Sequence, residues 1–123
     1  MTEIQSNKRY DLEDRTLVFA KEIRIFVLKF PKTTVVIEDG KQVIRSSGSI
    51  GANYIEANES LSRKDFVMRI KISRKEAKET AYWLQLFELS SQGNGSLEKE
   101  RERLLQEVTE LQKIFGAILE KSK

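Results

Sequence analysis

A chain of 123 residues is long enough for one domain with its own core. Charged residues make up 33% of it, yet 22 Lys and Arg against 19 Asp and Glu leave a net charge of only +3. With neither cysteine nor histidine, the chain has no disulfide, thiolate nucleophile or zinc ribbon, and lacks the usual general base and commonest metal ligand. Much of enzymology is thereby closed off, and no metal or cofactor is expected. The longest uncharged stretch, Ser46–Ile55, is ten residues, about half of a membrane span. The polar start MTEIQSNKRY lacks the apolar core of a secretion signal. A soluble, cytoplasmic protein is expected.

In the first segment Phe19, Ile23, Phe26 and Phe30 recur at helical spacing, the seam of an amphipathic helix. Asp11 and Asp14 are candidate caps for its start. Pro31, the only proline, should end it, because proline cannot donate the helical hydrogen bond and restricts the residue before it. Thr33–Ile37 is β-branched throughout. No second strand candidate exists to pair with it, so a connecting loop is expected there. The second helix is then expected near Glu38 or Asp39, acids suited to a helix N-terminus. Its seam is Val43, Ser47, Ile50, Tyr54, Ala57 and Leu61. Inside it SSGSIGA, Ser46 to Ala52, has the small residues of a phosphate-cradling loop but not the Lys-Ser/Thr that completes a Walker motif. The unbroken periodicity favours a helix shaved down for close packing, which must offset about 1 kcal/mol per glycine.

Ser62 and Asp65 resemble a capping box that opens the third helix. There Phe66, Ile70, Ser73, Ala77, Thr80, Leu84 and Phe87 hold a strict heptad, small in its middle. SSQGNGS, Ser90 to Ser96, breaks the chain. Ser96 is the expected cap of a last helix bearing Leu97, Leu104, Val108, Leu111, Phe115 and Ile118. Helices are therefore expected at roughly 12–30, 39–60, 63–89 and 97–121. Joined by short links, they predict an all-α, up-and-down antiparallel four-helix bundle forming a single domain.

Set at 100° intervals, the third helix has two further arcs. Met68, Ile72, Tyr82, Trp83 and Leu86 lie roughly opposite the heptad, an apolar surface that one core cannot also reach. The functional reading is an oligomer interface; the bland one is helix packing less regular than the wheel. Val18, Ile25 and Leu28 of the first helix are a weaker case of the same kind. The other arc carries Lys64, Lys71, Arg74, Lys75 and Lys78, and Ser62–Lys78 holds seven basic residues against Asp65 and Glu76. Such a stripe is either a phosphate-contacting surface, salt-sensitive and sequence-indifferent, or an ordinary solvated face. Asn53 and Glu56, one turn apart, suggest a buried polar pair fixing helix register. A catalytic reading of Glu56 and Glu59 finds no histidine, cysteine or metal-ligand spacing to complete it.

Across Gly40–Phe87 the order of small, polar and aromatic positions resembles the 23S rRNA-intervening-sequence protein family. The matching features are Ser-Ile-Gly-Ala-Asn-Tyr from Ser49, Glu-Ala-Asn at Glu56–Asn58, Lys-Asp-Phe at Lys64–Phe66 and Glu-Thr-Ala-Tyr-Trp-Leu from Glu79, with Phe30-Pro31 ahead of the second helix. The resemblance implies an up-and-down bundle assembled as a symmetric ring, commonly a homopentamer. It also implies kinship with the accessory bundle proteins of diversity-generating retroelements, which associate with nucleic acid and a reverse transcriptase. The expected function is a non-enzymatic, self-associating protein that binds RNA or DNA through the stripe of the third helix. The alternative is a protein-binding scaffold or accessory protein with no nucleic-acid role.

Overall fold

Helix α1, Glu3–Leu28, stops where Pro31 requires it to. Its end tightens into three-residue hydrogen bonds, from Lys29 N to Phe26 O and from Phe30 N to Val27 O. The computed structural model describes the backbone of residues 3–123 and the side chains from Leu12 onward. Because α1 already runs through positions 11 and 14, Asp14 is interior rather than a cap; the Asp11 side chain lies outside the described residues.

The β-branched run after Pro31 is not a loop. It opens α2, Thr34–Asn58, with Thr33 as N-cap accepting a hydrogen bond from Val36 N at 3.2 Å. Val36 is buried there, and its packing together with the cap outweighs the modest helix preference of valine and threonine. The N-terminus of α2 therefore lies several residues before Glu38. At the other end the chain leaves the helix at Glu59. Leu61, read as the last seam residue, falls in the link and is 99% exposed.

Helix α3, Arg63–Leu86, starts as expected, with the Ser62 hydroxyl accepting from Asp65 N at 3.1 Å. It does not reach position 89. The chain breaks at Phe87 and a one-turn helix α4, Glu88–Ser91, follows. Arg101 donates to the Leu84 carbonyl, intruding on the backbone ladder one turn before the break. Phe87 is itself anchored, with ring centroids 5.5 Å from Phe26 and 5.1 Å from Phe30. Gly93 then takes φ +80, a conformation that glycine adopts without strain. Helix α5, Gly95–Lys121, is capped by Asn94, whose Oδ1 accepts from Leu97 N at 3.1 Å, and not by Ser96.

The expectation of a four-helix bundle assembling as a ring is corrected accordingly. The described residues form five helices with no strand, and the structure is that of one chain with no ring. α3 packs on α2 and α5, while α1 packs chiefly on α2. Phe19, Ile23, Phe26, Val43, Ile50, Ile70, Ala77, Leu84, Leu104, Val108, Leu111 and Phe115 fill the core, all but closed to solvent. The shaved stretch of α2 serves two neighbours. Towards α3, the Ser46 and Thr80 hydroxyls meet at 2.8 Å and Ser73 donates to Ile50 O at 2.9 Å. Towards α1, a Cβ on Gly51 would lie 2.7 Å from Thr16 Oγ1, so only glycine admits so close an approach. Ion pairs tie α1 and the residue that follows it to α5: Arg15 with Glu107 at 2.7 Å, Lys29 with Glu100 at 2.8 Å and Arg103 with Glu22 at 3.3 Å. The Glu107 hydrogen bond, opposed by partial burial, holds the Arg15 proton more firmly than usual.

Candidate nucleic-acid interface

Ser62 fixes where α3 begins, and the heptad fixes its rotation by burying Ile70, Ser73, Ala77, Thr80 and Leu84. These two constraints place Lys64, Lys71, Arg74, Lys75 and Lys78 in solvent; all five are exposed. At a helical rise of 1.5 Å per residue, Lys64, Lys71 and Lys78 lie about 10 Å apart along the axis.

The seven basic residues of Ser62–Lys78 divide into two groups. Arg63 donates to the Ser122 carbonyl, and Arg69 Nη1 donates to Asn53 Oδ1 at 3.0 Å. Among the described residues, no ion pair or side-chain hydrogen bond engages the other five. Two nearby acids of α3, Glu76 and Glu79, are committed elsewhere, while Asp65 is exposed at the start of the helix. Arg45 of α2 reaches Glu76 at 3.3 Å and also pairs with Glu79. Desolvation works against the Arg45 charge, but its bonds to the two carboxylates outweigh that and raise its pKa above the ordinary value. Glu76, one of the two acids counted against the seven basic residues of Ser62–Lys78, is buried.

The apolar arc is less uniform than the wheel implied. Trp83 packs partly against the core, and Ile72 and Leu86 are half-buried. Met68 and Tyr82 remain exposed, at 49% and 56%. The two belong to different surroundings. Met68 lies with Lys64, Asp65, Val67 and Lys71 along a groove of about 550 Å³ at the start of α3. Tyr82 lies with Lys78 in a second groove, of about 460 Å³, whose far wall is Leu105, Thr109 and Gln112 of α5. The sequence contained this signal: Tyr82 follows Lys78 by four residues and Lys75 by seven, which is one face of a helix.

The proposed Asn53–Glu56 pair does not form. Asn53 donates to Ser49 O at 2.9 Å and accepts from Arg69, linking α2 to α3, while Glu56 is exposed. No group of three or more Asp or Glu is placed to hold a metal ion among the described residues. No helix among them is long and apolar enough to cross a membrane.

The molecule is thus an all-α protein whose third helix separates a neutralised flank from a free cationic one. The sequence profile of the 23S rRNA-intervening sequence protein family matches residues 8–117, and the chain belongs to that family. It is similar to a crystal structure of a protein of unknown function from the S23 ribosomal protein family of Bacteroides thetaiotaomicron VPI-5482. The two share 31% identity, covering 87% of this chain and 96% of that one, with a TM-score of 0.71. No curated protein matches.

Proposed function

We propose that the protein is a non-enzymatic, cytoplasmic nucleic-acid-binding protein that contacts phosphates through Lys64, Lys71, Arg74, Lys75 and Lys78, without cofactor or metal. The observation that carries this reading is the set of five exposed cations on one helix with no acidic partner among the described residues. In a chain whose total charge is only +3, their concentration on one face creates a local field that attracts polyanions. The family's name, which refers to an intervening sequence of rRNA, fits the same class of partner.

Self-association belongs to this proposal. Val18, Ile25 and Leu28 of α1 and Met68 of α3 are exposed, Leu28 at 77%. Burying them between copies would repeat the stripe and add avidity. Light scattering at micromolar concentration should give a multiple of 14.3 kDa; the monomer mass would remove this part of the proposal.

Binding is tested by titrating a labelled oligonucleotide at about 50 mM and about 200 mM salt. Affinity should fall steeply, with a log–log slope on duplex of about −0.9 per phosphate contacted. Changing Lys71, Arg74, Lys75 and Lys78 together to glutamine should abolish the interaction while leaving the fold intact. No binding at the lower salt, or binding that survives the four changes, would favour the protein-binding scaffold instead.

A further inference from the structure

We infer that Tyr82 is a stacking platform for a nucleobase, so that the stripe takes single-stranded nucleic acid with a base turned into the groove between α3 and α5. The inference rests on the nucleic-acid reading above and specifies the form of its ligand.

Charge alone does not distinguish single strands from duplex, because both present phosphates to a basic helix. An exposed aromatic ring beside the cations does distinguish them. In a duplex each base face is covered by its neighbours, whereas a single strand can offer a face to a side chain. Tyr82 has the exposure this requires, and it shares its groove with Lys78. The four-residue spacing sets the two Cα positions about 6 Å apart along the axis, so the flexible Lys78 side chain can serve the phosphate of the nucleotide whose base meets the ring. Lys75, a further turn back, is placed for the preceding phosphate.

The ring is also held in place. Trp83 meets it edge-on, with centroids 5.3 Å apart and planes at 77°. A platform already fixed loses little side-chain freedom when a base settles on it. Around it the groove mixes apolar surface from Ala81 and Leu105 with polar side chains; Lys78 is its charged residue, and no Asp or Glu lines it. Gln85 and Gln112 bring amides with both donor and acceptor, and no hydrogen bond among the described residues occupies either. The Thr109 hydroxyl donates to Leu105 O at 2.8 Å, which leaves its oxygen free to accept. Rotatable groups that both give and take hydrogen bonds suit the edge of any base, so the site should tolerate sequence.

The test compares a labelled oligo(dT) strand with a blunt duplex of equal length, by anisotropy at about 50 mM salt. Wild type should prefer the single strand. Tyr82→Ala should weaken single-strand binding by about fivefold or more, while duplex affinity and the salt slope stay unchanged. Tyr82→Phe, which keeps the ring, should bind as wild type. Trp83, the only tryptophan, supplies a second signal: its emission should change when single strand binds the wild type and the Phe variant, and not when duplex binds. If Tyr82→Ala binds single strand like wild type, or loses single strand and duplex equally, the platform is wrong while phosphate binding stands. If wild type binds neither nucleic acid, both readings fall.

Discussion

The two flanks of α3 carry similar residues and resolve them in opposite ways. On the flank towards α2 most strong polar groups have a partner: Arg69 with Asn53, Glu76 and Glu79 with Arg45, Ser73 with the Ile50 carbonyl and Thr80 with Ser46, while the buried Trp83 Nε1 has none among the described residues. On the outer flank Lys64, Lys71, Arg74, Lys75 and Lys78 have none among the described residues. Burial accounts for the first arrangement, since an unpaired polar group out of water is expensive. Nothing in folding requires the second. A near-neutral total charge therefore hides a sorting of charge, in which Arg45 of α2 engages Glu76 and Glu79 and the five cations are left outside.

The comparison is broken most directly by exchanging the size of a residue on the inner face. Ala77 is fully buried between its neighbours, and Ala77→Leu should cost about 1–3 kcal/mol by overpacking. In thermal unfolding that is a fall of several degrees or more for a domain of this size. A melting temperature equal to wild type would show that the face can yield and is not closely packed.

A smaller effect is expected from Thr80→Val, which keeps the volume but removes the bonds to Ser46 and to the Glu76 carbonyl. The loss should be about 1 kcal/mol, and more if Ser46 is left unsatisfied. Chemical denaturation would show a lower midpoint with an unchanged slope. An unchanged midpoint would mean that this hydroxyl pair adds no stability beyond packing.

The smallest effect on stability belongs to the outer flank. Lys78→Ala should shift stability by no more than about 0.5 kcal/mol. The fourfold glutamine variant should unfold at or above the wild-type temperature, because it relieves repulsion among like charges. A large loss of stability in either variant would reveal a structural role for the stripe and weaken its assignment to a ligand.

Much of this organisation was legible in the chain. The seams of α1, α3 and α5 were readable because apolar residues recur at the helical period, and Pro31 and Ser62 mark an end and a beginning by local chemistry. The cations of the stripe were visible as a cluster on one arc. The errors lie where local preference and long-range packing disagree. Thr33–Ile37 has the composition of a strand, yet Thr33 caps a helix and Val36 is buried in it. Positions 63–89 read as one helix until Arg101, distant in sequence, engages the Leu84 carbonyl. The same holds for Tyr82: the wheel placed it with the apolar arc, and the α3–α5 groove is visible only once α5 is in position.

By itself, then, the sequence determined where helices can form, which stripe of each is apolar, and which charges lie on one arc, because periodicity, capping and proline act over a few residues. The tertiary structure decided what each charge meets. Whether a glutamate is buried against Arg45 or left to neutralise a lysine, and whether an aromatic ring packs inward like Trp83 or stands in a groove like Tyr82, depends on helices brought together from afar. Such contacts are set by the distance and orientation between whole elements, and no local pattern of residues encodes them.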